Sequence, residues 1–145
     1  MFVKSILEQK TPDLIAVSPG DTVRVVGSLF KRKKIGFALV QSKDNALLGT
    51  ISERDIIHAM ADRGEVDNVP VVEIMTTNIV TCHVNDTLES VRQAMTNQRT
   101  RHVVAMQGDD PVGIVSIGDM IKHSLDECRI DTDHMVQYIN GQGYQ

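Results

Sequence analysis

Two short segments of this chain carry the same chemically capable residues at the same spacing. Gly49-x-x-Ser52-x-x-Asp55 returns as Gly113-x-x-Ser116-x-x-Asp119. A glycine in a strand or its turn permits close approach by a ligand or by another stretch of backbone. The serine falls where a strand runs into a helix. Its hydroxyl and the first free N–H groups of that helix face one side, a position that suits an anion. The aspartate lies in the first helical turn. Its carboxylate can accept two hydrogen bonds at once, which matches a vicinal diol such as the 2′- and 3′-hydroxyls of a ribose. Helix capping alone also explains a serine and an aspartate so placed. Their double occurrence favours a ligand, because many other residue pairs could cap.

The motif belongs to a longer repeat. Asp21-Thr22-Val23 matches Asp86-Thr87-Leu88, and the apolar positions Val23, Val26 and Phe30 match Leu88, Val91 and Met95. Both triplets fall on one face of a helix. The glycines recur at an offset one residue shorter, and the loop Ser42-Lys43-Asp44-Asn45 against Gln107-Gly108-Asp109-Asp110 is the natural place for that loss. A repeat of this kind is one supersecondary unit that cannot bury its apolar face alone.

Each copy reads as strand, helix, strand, strand, helix. In the first, Leu14 to Val17 is a strand, Ser18-Pro19-Gly20 a turn, and Asp21 the helix cap. Ile35–Val40 and Ala46–Ile51 form a hairpin, and a helix then runs from Ser52 or Glu53 to a terminal glycine, Gly64. In the second, Ile79 to Cys82 is the strand, Asp86 caps with Glu89 as in a capping box, and His102–Met106 pairs with Val112–Val115. Lys4-Ser5-Ile6-Leu7 resembles Val72-Glu73-Ile74-Met75, a lead-in expected to pack near the end of its own copy. Beyond Glu127, Asp131-Thr132-Asp133 reads as the cap of a separate short helix ended by Gly141-Gln142-Gly143, an oligomer contact or a cover for the core.

The sequence holds 145 residues, with 41% hydrophobic, 23% charged and a net charge of −4. That length fits one domain or two small ones sharing a core. The net charge argues against a phosphate-backbone binder, and the absence of Trp leaves few stacking platforms for nucleic acid. The basic run Lys31-Arg32-Lys33-Lys34 suits either a solvated helix C-terminus or an anion site. No apolar run is long enough to cross a bilayer and no secretory leader is evident. Two cysteines, Cys82 and Cys128, make neither a disulfide framework nor a zinc site, which points to a cytoplasmic protein with reduced thiols. Metal-ligand histidine spacings, a nucleophile elbow, a Walker loop and a Rossmann glycine pattern are all missing. Cys82-His83 are adjacent, so on a strand they face opposite sides and cannot form a dyad. An enzyme is therefore disfavoured, and no catalytic cofactor or metal is expected.

Taken together, the two Gly-x-x-Ser-x-x-Asp segments, the Asp-Thr helix starts and Thr100-Arg101-His102-Val103-Val104 resemble a tandem CBS-domain protein, also called a CBS pair or Bateman module, of the small stand-alone bacterial type. The resemblance covers residues 4 to 127. It implies an α+β fold in which CBS repeats 4–64 and 72–127 pack with pseudo-two-fold symmetry, followed by the tail 128–145. It implies a regulatory, energy-sensing role in signal transduction, with AMP, ADP, ATP, S-adenosylmethionine or NAD(H) bound in clefts between the repeats. Carried over residue by residue, Asp55 and Asp119 would hold ribose hydroxyls, with Ser52 and Ser116 beside them. Ile15, Ala16, Val80 and Thr81 would border adenine, near Gly49 and Gly113. Arg54, Arg101 and His102 would clamp a phosphate, although His102 also reads as a hairpin residue packed on the sheet. The copies differ here: Gly36-Phe37 faces Arg101-His102, and Arg54 faces Gly118. The family also implies a homodimer through the helices around Ile56, Ile57, Met60, Met120 and Ile121. A structural or partner-binding module with unoccupied clefts remains the alternative.

Overall fold

The computed structural model describes residues 1–10 and 14–140. Its elements in chain order are α1 (Val3–Gln9), β1 (Ala16–Val17), α2 (Val23–Lys33), β2 (Phe37–Gln41), β3 (Leu47–Ser52) and α3 (Glu53–Arg63). A 3₁₀ turn at Val71–Glu73 leads into β4 (Thr81–His83), α4 (Leu88–Gln98), β5 (His102–Gln107), β6 (Asp110–Ser116) and α5 (Ile117–Ile139). Two three-stranded sheets result, ordered β1-β2-β3 and β4-β5-β6. In each, the first strand pairs parallel to the second and the second antiparallel to the third. Even the irregularity repeats, with the register shifting after Val40 in one hairpin and after Ala105 in the other.

The helix faces read from sequence are the buried ones. Val23, Val26 and Phe30 of α2 and Leu88, Val91 and Met95 of α4 each join a separate apolar core. The caps differ by one residue from expectation. Thr22 and Thr87, not Asp21 and Asp86, accept from the helix N–H groups of Val25 and Ser90 at 3.3 and 3.2 Å. Asp21 and Asp86 instead take the Ser18 and His83 N–H groups at 2.9 and 2.8 Å, which fixes the preceding turns. Glu89 pairs with Arg92 on the surface and forms no capping box. The basic run occupies the last turn of α2, where cations suit the helix dipole.

Each lead-in crosses to the other repeat. Val3 and Ile6 of α1 lie in the core of the second repeat with Leu88, Val91 and Val115. Val66 and Val71 lie in that of the first with Val23, Val26 and Ile51. The crossing is tied by backbone bonds, Val3 N–H to the Asp86 carbonyl at 2.9 Å and Val71 N–H to the Asp21 carbonyl at 2.8 Å. The expectation that each lead-in packs near its own copy is thus corrected, because apolar spacing marks a buried face without naming what covers it.

The tail also departs from expectation. In place of a separate short helix over 128–145, α5 continues unbroken for 23 residues to Ile139. Thr132 does not cap; its hydroxyl donates to the Cys128 carbonyl at 2.8 Å, a bond that lets threonine sit inside a helix. The far half of α5 covers no core, since Ile130, Met135, Val136 and Ile139 are exposed. Gly141-Gln142-Gly143 lies outside the described residues.

The repeated glycines make room for the crossing. A Cβ on Gly49 would stand 2.6 Å from the Thr76 carbonyl oxygen, and one on Gly113 would stand 2.5 Å from the Leu7 side chain. Of the two close approaches glycine permits, the chain's own lead-in takes this one. Gly49→Ala meets backbone hydrogen-bonded to Thr50 on both sides, whereas Gly113→Ala meets the end of a flexible side chain. Urea denaturation should show both variants destabilised, Gly49→Ala by about 1–3 kcal/mol and Gly113→Ala by less.

Candidate functional site

The motif serines and aspartates form reciprocal capping boxes in both copies. Asp55 N–H donates to Ser52 Oγ at 3.2 Å, while Asp55 Oδ2 accepts from Ser52 N–H at 2.9 Å and from its hydroxyl at 3.0 Å. Ser116 and Asp119 repeat the backbone bonds at 3.2 and 2.8 Å. The first-turn N–H groups expected to attract an anion are in part spent on these boxes. Capping is therefore real in both copies. It does not exhaust the carboxylate, because each oxygen has two acceptor positions.

The third partner of each aspartate distinguishes the copies. Asp55 Oδ1 accepts from the Thr76 hydroxyl at 3.0 Å. Asp119 Oδ2 accepts from the Lys10 ammonium at 2.8 Å, and the same ammonium donates to the Ile114 carbonyl at 2.8 Å. Burial pushes the Asp119 carboxyl up, but the Lys10 hydrogen bond, the Ser116 bonds and the Lys10 charge outweigh it and hold the group below its ordinary value.

Around Asp55 opens a cleft of about 790 Å³ built from both repeats. The first repeat contributes Ser52, Arg54 and Asp55, and the second contributes Val80, Arg99, Arg101 and His102. Six of the residues expected from sequence thus meet in one place. Arg54 Nη1 donates to the Arg99 carbonyl at 3.1 Å, a bond from α3 to the left-handed C-cap of α4 that spans the mouth. Three guanidiniums, of Arg54, Arg99 and Arg101, line this one cleft together with the carboxylates of Glu53 and Asp55, so it offers groups that can pair with an anion and groups that can accept from a diol.

His102 stacks on Phe37, ring centroids 4.5 Å apart and planes at 12°. These two residues hold equivalent places in the repeats, paired with Ser116 and Ser52 at the strand ends, so the stack joins the copies at their seam. Burial lowers the His102 pKa, with the Lys10 charge adding to it and Asp119 opposing. A lowered pKa disfavours the cationic ring, which suits His102 to the packing role.

Other expected residues stand apart from this cleft. Thr81 is exposed and lines a neighbouring groove with Val80, Ser90 and Gln93. Ile15 packs on the core of the first repeat and Ala16 is exposed, neither in the Asp55 cleft. Gly49 and Gly113 face the lead-ins. Sequence reasoning passed over Thr76, Arg99 and Lys10. Thr76 had a signal: Thr11 precedes it at the offset that relates Asp21 to Asp86, though Thr11 lies outside the described residues. Arg99 and Lys10 carry no spacing that marks them.

Burial, aided by the Asp86 charge, pushes the Cys82 thiol up to about 11, and in β4 Cys82 is buried while His83 is exposed. Among the described residues no cluster of three metal-ligating side chains occurs, and no helix is long and apolar enough to cross a membrane.

The CBS-domain model matches residues 3–62 and again 63–126. The chain belongs to the CBS-domain family. It is 30% identical over 123 residues to the CBS domain-containing protein YhcV of Bacillus subtilis, covering 85% of this chain and 87% of that one. The crystal structure of the CBS-domain containing protein ATU1752 from Agrobacterium tumefaciens superposes with a TM-score of 0.81 at 34% identity, covering 83% of this chain and 91% of that one. The CBS domain protein PAE2072 from Pyrobaculum aerophilum, solved complexed with AMP, gives a TM-score of 0.73 at 27% identity over 82% of this chain and 89% of that one. CBS domains are in general regulatory modules rather than catalysts, and no catalytic family is indicated for this chain.

The Lys10–Asp119 pair makes stability pH-dependent. The folded carboxyl titrates below the unfolded one, so its contribution is full above about pH 4 and is lost as the pH falls through the lower folded value. Between neutral pH and pH 3, the melting temperature of the wild type should fall more steeply than that of Asp119→Asn or Lys10→Met, followed by circular dichroism. Parallel profiles for all three proteins would remove the pair from the account.

Proposed function

We propose that this protein is a non-catalytic sensor that binds an adenine nucleotide in the Asp55 cleft. The observation that carries this reading is the convergence there of a carboxylate from one repeat with Arg99 and Arg101 from the other, Arg54 bridging between them. A nucleoside phosphate offers the matching pair of features, a neutral diol and an anion, on one ribose. The cleft volume lies within the range of small-ligand sites. The AMP complex of the similar Pyrobaculum protein supports the choice of adenosine ligand. The ribose would lie against Asp55 and Thr76, the phosphate against the guanidiniums, and the adenine toward Ile79 and Val80. ADP, ATP and NAD(H) share the nucleoside end and differ in the charge brought to the arginines.

A ligand so placed touches α3 of one repeat and the α4–β5 junction of the other. It therefore favours whichever relative orientation of the repeats lets both sets of bonds form at once. The readout runs along α3 and α5, whose exposed apolar residues Ile57, Met60, Ile121 and Leu125 fit a second copy of the chain. The free thiols suit a reducing cytoplasm.

Titration calorimetry with AMP, ADP, ATP and NAD(H) tests the ligand reading. At least one should bind at sub-millimolar concentration. Asp55→Ala should weaken it at least about tenfold, or about 1.4 kcal/mol. Arg101→Ala should weaken the nucleotide more than free adenosine. Saturation at 100 times Kd adds about 2.7 kcal/mol, a shift of several degrees in the melt. Absence of heat and of any melting shift favours a partner-binding module with empty clefts. For assembly, light scattering should give twice the 16.0 kDa chain mass, reduced to one chain by Met60→Glu combined with Ile121→Glu. A wild-type monomer at high micromolar concentration excludes the dimer.

A further inference from the structure

The two motif aspartates occupy equivalent places and are satisfied by different chemistry. Asp55 is held by neutral donors, the Ser52 N–H and hydroxyl and the Thr76 hydroxyl. Asp119 is held by the Ser116 N–H and by a cation. The equivalence extends to the strand beside it. Thr50 of β3 exchanges backbone bonds with Thr76 at 2.9 and 2.8 Å, and Ile114, the matching residue of β6, gives its carbonyl to Lys10. The Lys10 ammonium thus links the strand to the motif carboxylate in the second copy, as Thr76 does in the first. In sequence Lys10 stands where the other lead-in has Met75, at the offset relating Asp21 to Asp86. A methionine there cannot pair with a carboxylate.

We propose that Lys10 is a tethered competitor for Asp119, so that each chain takes one adenine nucleotide, at Asp55, and a second at Asp119 only when the Lys10 ammonium is displaced. The inference rests on the nucleotide reading above. Its physical basis is a difference in what the ribose must displace. At Asp55 a hydroxyl turns aside and remains able to donate or accept elsewhere. At Asp119 a diol that takes both carboxylate oxygens must replace a charge-assisted bond on Oδ2, roughly twice as strong as a neutral one, and leave an ammonium without its counter-ion. The carboxylate is mostly shielded, 18% exposed against 36% for Lys10, so water screens the pair incompletely. Lys10 follows α1 directly and is pinned by it to the second repeat. Its effective concentration at Asp119 is therefore on the order of millimolar or above, and a freely diffusing ligand wins the site only where its affinity for Asp119 outweighs that advantage.

The deciding experiment combines calorimetry with a ligand-free control on the full chain. With AMP as titrant, the wild type should show one site per chain, abolished by Asp55→Asn. Lys10→Met should show two, and so should Lys10→Gln, which keeps polarity and removes the charge. Lys10→Met combined with Asp119→Asn should return to one. Without ligand, thermal melts of Lys10→Met, Asp119→Asn and the double variant should be non-additive, the signature of a direct contact in solution. Two AMP per wild-type chain, an unchanged single site in both Lys10 variants, or an additive cycle overturns the competitor while the nucleotide reading stands. No AMP bound by the wild type or by either Lys10 variant overturns the nucleotide reading, and the competitor with it.

Discussion

The exchange of lead-ins is the constraint on which the rest of this molecule depends. A three-stranded sheet with one helix on it leaves apolar surface that a short repeat cannot cover. Here the cover arrives from the other copy. Val3 and Ile6 seal the core around Leu88 and Val115, and Val66 and Val71 seal the one around Val23 and Ile51. Neither core is complete without the opposite segment of chain, so the two repeats fold as one body although each has its own sheet. The glycines that first drew attention to the repeat are part of this exchange. Val40 faces Gly49 and Ala105 faces Gly113 in the hairpins, and at both positions the incoming lead-in passes where a side chain would otherwise stand.

The exchange also makes the cleft. Because Met75 and Thr76 must cross to β3 of the first repeat before the chain returns to form β4, the segment Asn78–Val80 is drawn past the start of α3. That path lays the segment leading into β4 beside the aspartate of the first repeat, and brings the α4–β5 junction with Arg99 and Arg101 to the same cleft. Thr76 is fixed twice, by backbone bonds to Thr50 and by its hydroxyl on Asp55. A group placed in the cleft therefore reports on the packing of the lead-in as well as on the motif.

Much of this was legible in the residues. The repeat, its strand and helix order and the buried helix faces follow from periodicity and from the likeness of the two copies, and the six residues that meet in the cleft follow from the resemblance to the CBS family. What escaped has a common physical character: it depends on which surface meets which. The apolar lead-ins announce burial, and only the fold shows that the burial is across the repeat boundary. Thr22 and Thr87 cap where Asp21 and Asp86 were expected, because either residue of an Asp-Thr pair can accept from a helix N–H and the turn before it needs an acceptor too. Asp131-Thr132-Asp133 resembles a helix start, yet in the middle of a helix the threonine bonds back to Cys128 and the chain continues. Lys10 was invisible as a site residue because nothing in its own neighbourhood hints at a carboxylate more than a hundred residues away.

The mismatches between the copies are coupled to one another, which explains how a duplicated backbone carries unlike side chains at equivalent places. Glu53 N–H donates to the Gly36 carbonyl at 3.0 Å, and in the second copy Ile117 N–H donates to the Arg101 carbonyl at 2.8 Å. The backbone contact is the same. The side chains are not independent, because a Cβ on Gly36 would lie 2.7 Å from the Glu53 carboxyl carbon. Where the first helical residue is a glutamate, the strand start opposite it must be small or the glutamate must move. Where that residue is Ile117, the strand start can bear an arginine. Gly36 and Arg101 both line the Asp55 cleft, so at this pair of equivalent positions only the second copy brings a charge to it. A pseudo-two-fold that the backbone keeps is thus broken by pairs of side chains, and the asymmetry of charge across the Phe37–His102 seam follows from local packing.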